Sequence, residues 1–88
     1  MNTSFRANFH RDLKRITDER ILAGVRQAIL DVESVDHWRE VPEIKKMRGS
    51  SLAFRIRVDD YRIGLYIEGE MAEFIRVLPR RDVYRSFP

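Results

Sequence analysis

Phe54-Arg55-Ile56-Arg57-Val58-Asp59-Asp60-Tyr61-Arg62-Ile63-Gly64-Leu65-Tyr66-Ile67 alternates apolar and polar side chains on both sides of a pair of aspartates. A period of two is the signature of a strand with one face buried, and a polar break of two residues is the signature of a hairpin. If Asp59–Asp60 is the turn, Val58 stands opposite Tyr61, Arg57 opposite Arg62, and Arg55 opposite Gly64. The alternation begins upstream at Leu52. It resumes less cleanly after Gly69–Glu70, where Met71, Glu73, Ile75 and Val77 interleave with Ala72, Phe74, Arg76 and Leu78. With a further turn at Gly49–Ser51, this half of the chain predicts a three-stranded antiparallel meander.

Upstream, the period changes to that of a helix. Phe9, Leu13 and Ile16 recur at spacings of four and three, which predicts a helix over about residues 8–17. Ile21, Leu22, Val25, Ala28, Ile29 and Val32 form the apolar stripe of a second helix, with Thr17 or Asp18 as its N-cap. The short connection predicts an antiparallel helical hairpin, with Gly24 letting the two helices approach. Thr3–Arg6 is long enough for one edge strand, and the segment from Ser34 to Pro42, with Trp38 and Val41, reads as a connection. The expected fold is therefore α+β: an N-terminal helical hairpin packed on a three- to four-stranded antiparallel sheet, one domain over residues 1–88.

Composition narrows the partners. The chain has no cysteine, so disulfides and thiolate metal sites are excluded. His10 and His37 are isolated, with no neighbouring carboxylate pattern, so no metal and no cofactor is expected. No apolar run approaches the length of a membrane span, and Met1–Phe9 lacks the apolar stretch of an export signal, so a cytoplasmic protein without a membrane partner is expected. Net charge is only +3, but 14 of the 17 basic residues are arginine. A GC-rich genome accounts for part of that, and position for more. Residues 31–43 are acidic, whereas Lys45, Lys46, Arg48, Arg55, Arg57, Arg62, Arg76, Arg80, Arg81 and Arg85 make the second half basic. Charge gathered in one half is the footprint of a polyanion site.

The strand pattern says where that site lies. Alternation sends Arg55, Arg57, Arg62 and Arg76 to the face away from the helices, beside Tyr66, Phe74 and Leu78. Like charges placed opposite each other, as Arg57 and Arg62 are, destabilise a sheet unless they share an anion. Gly64 leaves room for one. Guanidinium groups interleaved with aromatic rings suit a phosphate backbone and stacked bases. At the C-terminus a turn of helix would bring Val83 and Phe87 to one side for packing, while Tyr84 could join the core or reach the basic face.

Four segments, in order, resemble the RelE branch of the RelE/ParE superfamily of toxins. Phe9-His10-Arg11-Asp12-Leu13-Lys14-Arg15-Ile16 is similar to that family's opening helix, and Ile44-Lys45-Lys46-Met47-Arg48-Gly49 to its lysine-rich segment. Phe54–Gly64 resembles its central hairpin, the most specific of the four, and Arg80–Pro88 its closing run. The resemblance implies a toxin paired with a cognate antitoxin protein. It also implies an endoribonuclease that cuts mRNA on the ribosome without metal, through attack of a 2′-hydroxyl on the adjacent phosphorus. The family's catalytic positions fall on Arg55, Arg57, Arg62, Arg80 and Tyr84, and Lys45, Lys46, Arg48, Arg76 and Arg81 are the further RNA-binding candidates. Arginine stays protonated, so these residues suit charge stabilisation better than proton abstraction. The chain departs from the family pattern at Pro79, where histidine is frequent, and at Asp59, where glycine is favoured. Two other readings remain: a ParE-like inhibitor of DNA gyrase, whose branch lacks the basic catalytic set, and an inactive RNA- and antitoxin-binding module.

Overall fold

Apolar residues spaced by two need a partner surface, and both helices of the first half supply it. The computed structural model describes all residues, Met1–Pro88. Strand β1 (Asn2–Phe5) leads into helices α1 (Ala7–Lys14) and α2 (Glu19–Ser34). A single 3-10 turn (Trp38–Glu40) then precedes β2 (Ile44–Lys46), β3 (Ala53–Val58), β4 (Tyr61–Glu68), β5 (Met71–Pro79) and helix α3 (Arg80–Ser86). Asp18 caps α2 by accepting a hydrogen bond from the Arg20 amide at 2.9 Å, which satisfies one of the free donors of the first turn.

The meander forms in the expected register. Val58 pairs with Tyr61, Arg57 with Arg62 and Arg55 with Gly64. The sheet around it is larger than expected: five strands in the order β1-β5-β4-β3-β2, mixed rather than antiparallel. β1 runs parallel to β5, because the chain crosses over through both helices and the meander before returning beside it. β2, antiparallel to β3, escapes pattern reading because it is three residues long and two of them are lysine. A short, charged strand is what a sheet edge tolerates.

The helices do not form a hairpin packed as a unit. α1 rests on β5, and α2 on β3 and β1. Gly24 serves the sheet contact rather than a helix–helix one, since a Cβ there would stand 2.6 Å from Val58 Cγ1. Phe9, Ile21, Val25 and Val32 meet Ile56, Ile63, Leu65 and Phe74 in the main core.

A β-bulge explains the unclean pattern of β5. Leu65 pairs with Phe74 and Gly64 with Arg76, so Ile75 has no partner and the parity of the strand changes there. Phe74 is therefore fully buried on the helix side, stacked on Phe5 at 5.1 Å and edge-on to Phe9 at 5.5 Å, rather than on the open face. Arg76 is also not free on that face. Buried Asp12 of α1 takes both its Nε (2.7 Å) and its Nη2 (3.1 Å), and accepts the Val77 amide as well at 3.0 Å. Asp12 thus satisfies an amide of β5 beyond the reach of β1, and the hydrogen bonds it accepts, helped by its charge, hold the Arg76 guanidinium above its ordinary proton affinity.

The face opposite the helices is half covered. α3 folds back over it and buries Val83 and Phe87 against Ala53, with Met47, Tyr66, Ile75 and Leu78 around them. A second, smaller core therefore sits under one part of the sheet and leaves the rest of the basic face open.

Candidate functional site

Cross-strand pairing lines up the basic residues in two rows. One runs from Lys45 through Arg55 to Gly64, and the other from Arg57 to Arg62 and Leu78. No carboxylate neutralises them: the ion pairs of the chain are Arg6–Glu73, Arg20–Asp18 and Arg76–Asp12, none of which involves this cluster. The rows end at α3, which carries Arg80 and Tyr84 on the same side. An open pocket of about 390 Å³ lies between the two. Lys45, Arg48 and Arg55 form its sheet-side wall, and Tyr84, Phe87 and Pro88 its α3 wall. Tyr84 is 50% exposed, so it belongs to the pocket and not to the core.

Arg62 is placed differently from what alternation implied. It lies on the predicted face, yet it is only 8% exposed and turned into the hairpin, where Nη1 donates to the carbonyls of Asp59 and Tyr61, both at 2.8 Å. Its Nε is buried with no partner in the chain. Burial lowers its proton affinity first, and the positive charge of Arg55 lowers it further. The charges of Arg57 and Arg80 act in the same direction, and Tyr84 opposes them. Asp59 takes φ of 56° at the turn. That is a left-handed conformation which aspartate tolerates better than most residues, and one that glycine would adopt without cost.

The remaining candidates divide. Lys45, Arg48, Arg55 and Tyr84 share the pocket lining, while Arg62 and Arg80 lie close to one another outside it. Lys46 contributes to the pocket lining, but it pairs with Phe54 and its ammonium lies 6.0 Å from that ring's centre. Arg57 is exposed at the open edge beyond β2, where its amide donates to Glu43. Arg81 is exposed on α3 and does not line the pocket, and Arg76 is held by Asp12. The space expected beside Gly64 is filled by the ring of Phe87, a wall residue that sequence reading assigned only to packing. Its signal was a glycine in a strand interior facing an apolar residue at the C-terminus. No three His, Asp or Glu side chains converge into a metal-binding group. His37 instead caps the 3-10 turn, its Nδ1 accepting from the Arg39 amide at 3.2 Å.

The two opposed arginines should differ in stability experiments. Arg62→Ala removes a charged donor from two turn carbonyls and should cost about 1–3 kcal/mol. Arg57→Ala relieves a like-charge pair at an exposed position and should be neutral or stabilising by up to about 1 kcal/mol. Urea denaturation of both variants decides it: an Arg62→Ala protein as stable as wild type would show that the turn does not need this side chain.

Known proteins with the same architecture are as follows. No protein-family profile matches the chain. Toxin RelE3 of Methanocaldococcus jannaschii is 33% identical over 89 residues, the full length of both proteins. The RelB–RelE antitoxin–toxin complex from Methanococcus jannaschii contains a chain superposing with a TM-score of 0.80 at 32% identity, over 97% of this chain and 99% of that one. The toxin–antitoxin complex RelBE2 from Mycobacterium tuberculosis gives a TM-score of 0.70 at 26% identity, over 90% and 96% of the two chains. The archaeal RelE–RelB complex from Pyrococcus horikoshii OT3 gives 0.72 at 16% identity, over 90% and 93%, a likeness of fold.

Proposed function

The chain belongs to the RelE family of toxins, and from that premise we propose that it cuts mRNA on the ribosome and is held in check by a cognate antitoxin. The observation that carries the reading is an uncompensated cation cluster, in which Arg55 lines an open pocket with the exposed Tyr84 and has Arg62 and Arg80 nearby. A chain selected for stability alone would place a carboxylate among those guanidinium groups.

The chemistry needs little else. The 2′-oxygen attacks the adjacent phosphorus, the bond from phosphorus to the 5′-oxygen breaks, and the products are a cyclic phosphate and a 5′-hydroxyl end. The 2′-proton leaves to water, and the departing 5′-oxygen takes one up. Negative charge grows on the phosphorane between those events. Arginines already fixed in place stabilise it without reorganising, which is the larger part of such catalysis. Arg62 is the best fixed of them, clamped by its turn, and Arg55 and Arg80 bring the charge that can move to the phosphate. Tyr84 offers a ring on which a base of the codon stacks. Guanidinium is a poor proton acceptor, so this chain contributes position and charge while the ribosome holds the message in a reactive geometry. That division makes cutting dependent on the ribosome.

The antitoxin of this reading carries an acidic segment over Arg55, Arg62 and Arg80, where charge complementarity speeds capture. The test is direct. Translating ribosomes are incubated with the protein in excess chelator, and the message is mapped for cuts in the ribosomal A site. Cuts with 5′-hydroxyl ends, abolished by the co-expressed antitoxin, are expected. Intact mRNA together with inhibited DNA gyrase would assign the chain to the ParE-like mode of action.

A further inference from the structure

We propose that Phe87, seated over Gly64, is the positioning residue that holds α3 and its Tyr84 at the pocket. The claim rests on the ribonuclease reading above and adds to it a contact on which cutting depends.

α3 has little to hold it in place by itself. It is seven residues long, and Pro79 at its N-terminus gives no side-chain cap. A helix of that length is not stable on its own. The Tyr84 side chain is half exposed, so it does little to anchor the helix that carries it. The start of the helix is tied by the Arg80 amide to the Asp60 carbonyl at 2.9 Å. Its end is tied by Val83 and Phe87, 0% and 3% exposed, with the Phe87 amide donating to Val83 at 2.8 Å.

The seat for Phe87 is made by a missing side chain. A Cβ on residue 64 would stand 2.6 Å from Phe87 Cδ2, 2.8 Å from Cγ and 3.0 Å from Cε2. Gly64 lies in the middle of β4, and its φ is not among the positive ones, so the backbone does not require glycine there. The requirement is space. Tyr66, two residues along the same strand, flanks the ring at a centroid separation of 5.0 Å. Gly64 is also the cross-strand neighbour of Arg55. One contact therefore fixes the distance between the strand that carries a catalytic arginine and the helix that carries Tyr84.

Gly64→Ala, Phe87→Ala and the double variant test this by two readouts: backbone order of α3 by NMR, and single-turnover cutting on saturating ribosomes. Both single variants should free α3 while the sheet amides keep their order. Cutting should slow by at least about tenfold, because misplacement by an ångström can cost about a hundredfold. The ribosome concentration for half-maximal rate should shift less than the rate itself. Phe87→Leu, which keeps an apolar anchor, should restore most of the rate. The double variant should be no slower than Phe87→Ala, because an alanine at position 64 acts only through the ring it displaces. Phe87 is outside the main core, so its variants remain readable if Gly64→Ala does not fold. An ordered α3 and wild-type cutting in Phe87→Ala would overturn the proposal, as would single-variant losses that multiply in the double variant. A wild type that never cuts overturns the ribonuclease reading alone, and the order of α3 still reports on the Phe87–Gly64 contact.

Discussion

A message carrying 2′-deoxyribose at the scissile nucleotide should resist the protein entirely, while an all-ribose message on parallel ribosomes is cut. The expectation follows from what the pocket offers. Its lining residues are arginine, lysine, tyrosine, phenylalanine, methionine and proline, with no serine, cysteine, histidine or carboxylate among them to attack phosphorus or to activate a nucleophile. The attacking oxygen must then come from the substrate, and the 2′-hydroxyl is the one group that removal of a single atom deletes without altering base pairing. Cations that contact the phosphate oxygens would do so with either sugar, so binding to the ribosome should be unchanged. A primer-extension assay on the paired messages measures this. Equal cutting of both would mean that the attacking oxygen is water's and not the substrate's.

The parts of the site that were legible in the sequence are those set by local pairing. The Asp59–Asp60 turn and the period of two place Arg57 against Arg62 and Arg55 against Gly64, and the ladder has that register. Alternation gives the face of a residue but not its depth. For this reason the burial of Arg62 and its bonds to two turn carbonyls lay outside the reach of the pattern. The bulge at Ile75 puts Phe74 in the main core together with Val77, because one extra residue opposes the faces of the positions before it to those after it. Arg76 was taken out of the site by Asp12, 64 residues away in sequence, and no spacing rule reaches that far. The direction of β1 and the existence of β2 were hidden for a related reason. Four- and three-residue edges carry too few side chains to show a period, and their pairing is decided by the strands beside them.

Arg80→Ala should slow single-turnover cutting by about 10²-fold, the order of loss seen when one donor to a developing oxyanion is removed. Three features single out this residue. It is exposed and free of any ion pair, so its guanidinium is available to a phosphate. Its backbone is pinned to Asp60, and an alanine keeps that amide bond, so α3 should stay in place. It also lies close enough to Arg62 to act on that buried guanidinium, which places it at the charged centre of the face. Ribosome affinity should fall by less than about tenfold, because one phosphate contact among several is lost. Arg80→Lys should recover part of the rate, since it keeps the charge but loses the planar fork that matches two phosphate oxygens. Arg11→Ala on α1 removes the same charge from the helical side, where the side chain is bonded to Asn8, and separates a general electrostatic effect from a local one. If the Arg80→Ala rate equals that of wild type, or if Arg11→Ala falls as far, the charge that stabilises the transition state is not supplied from this position.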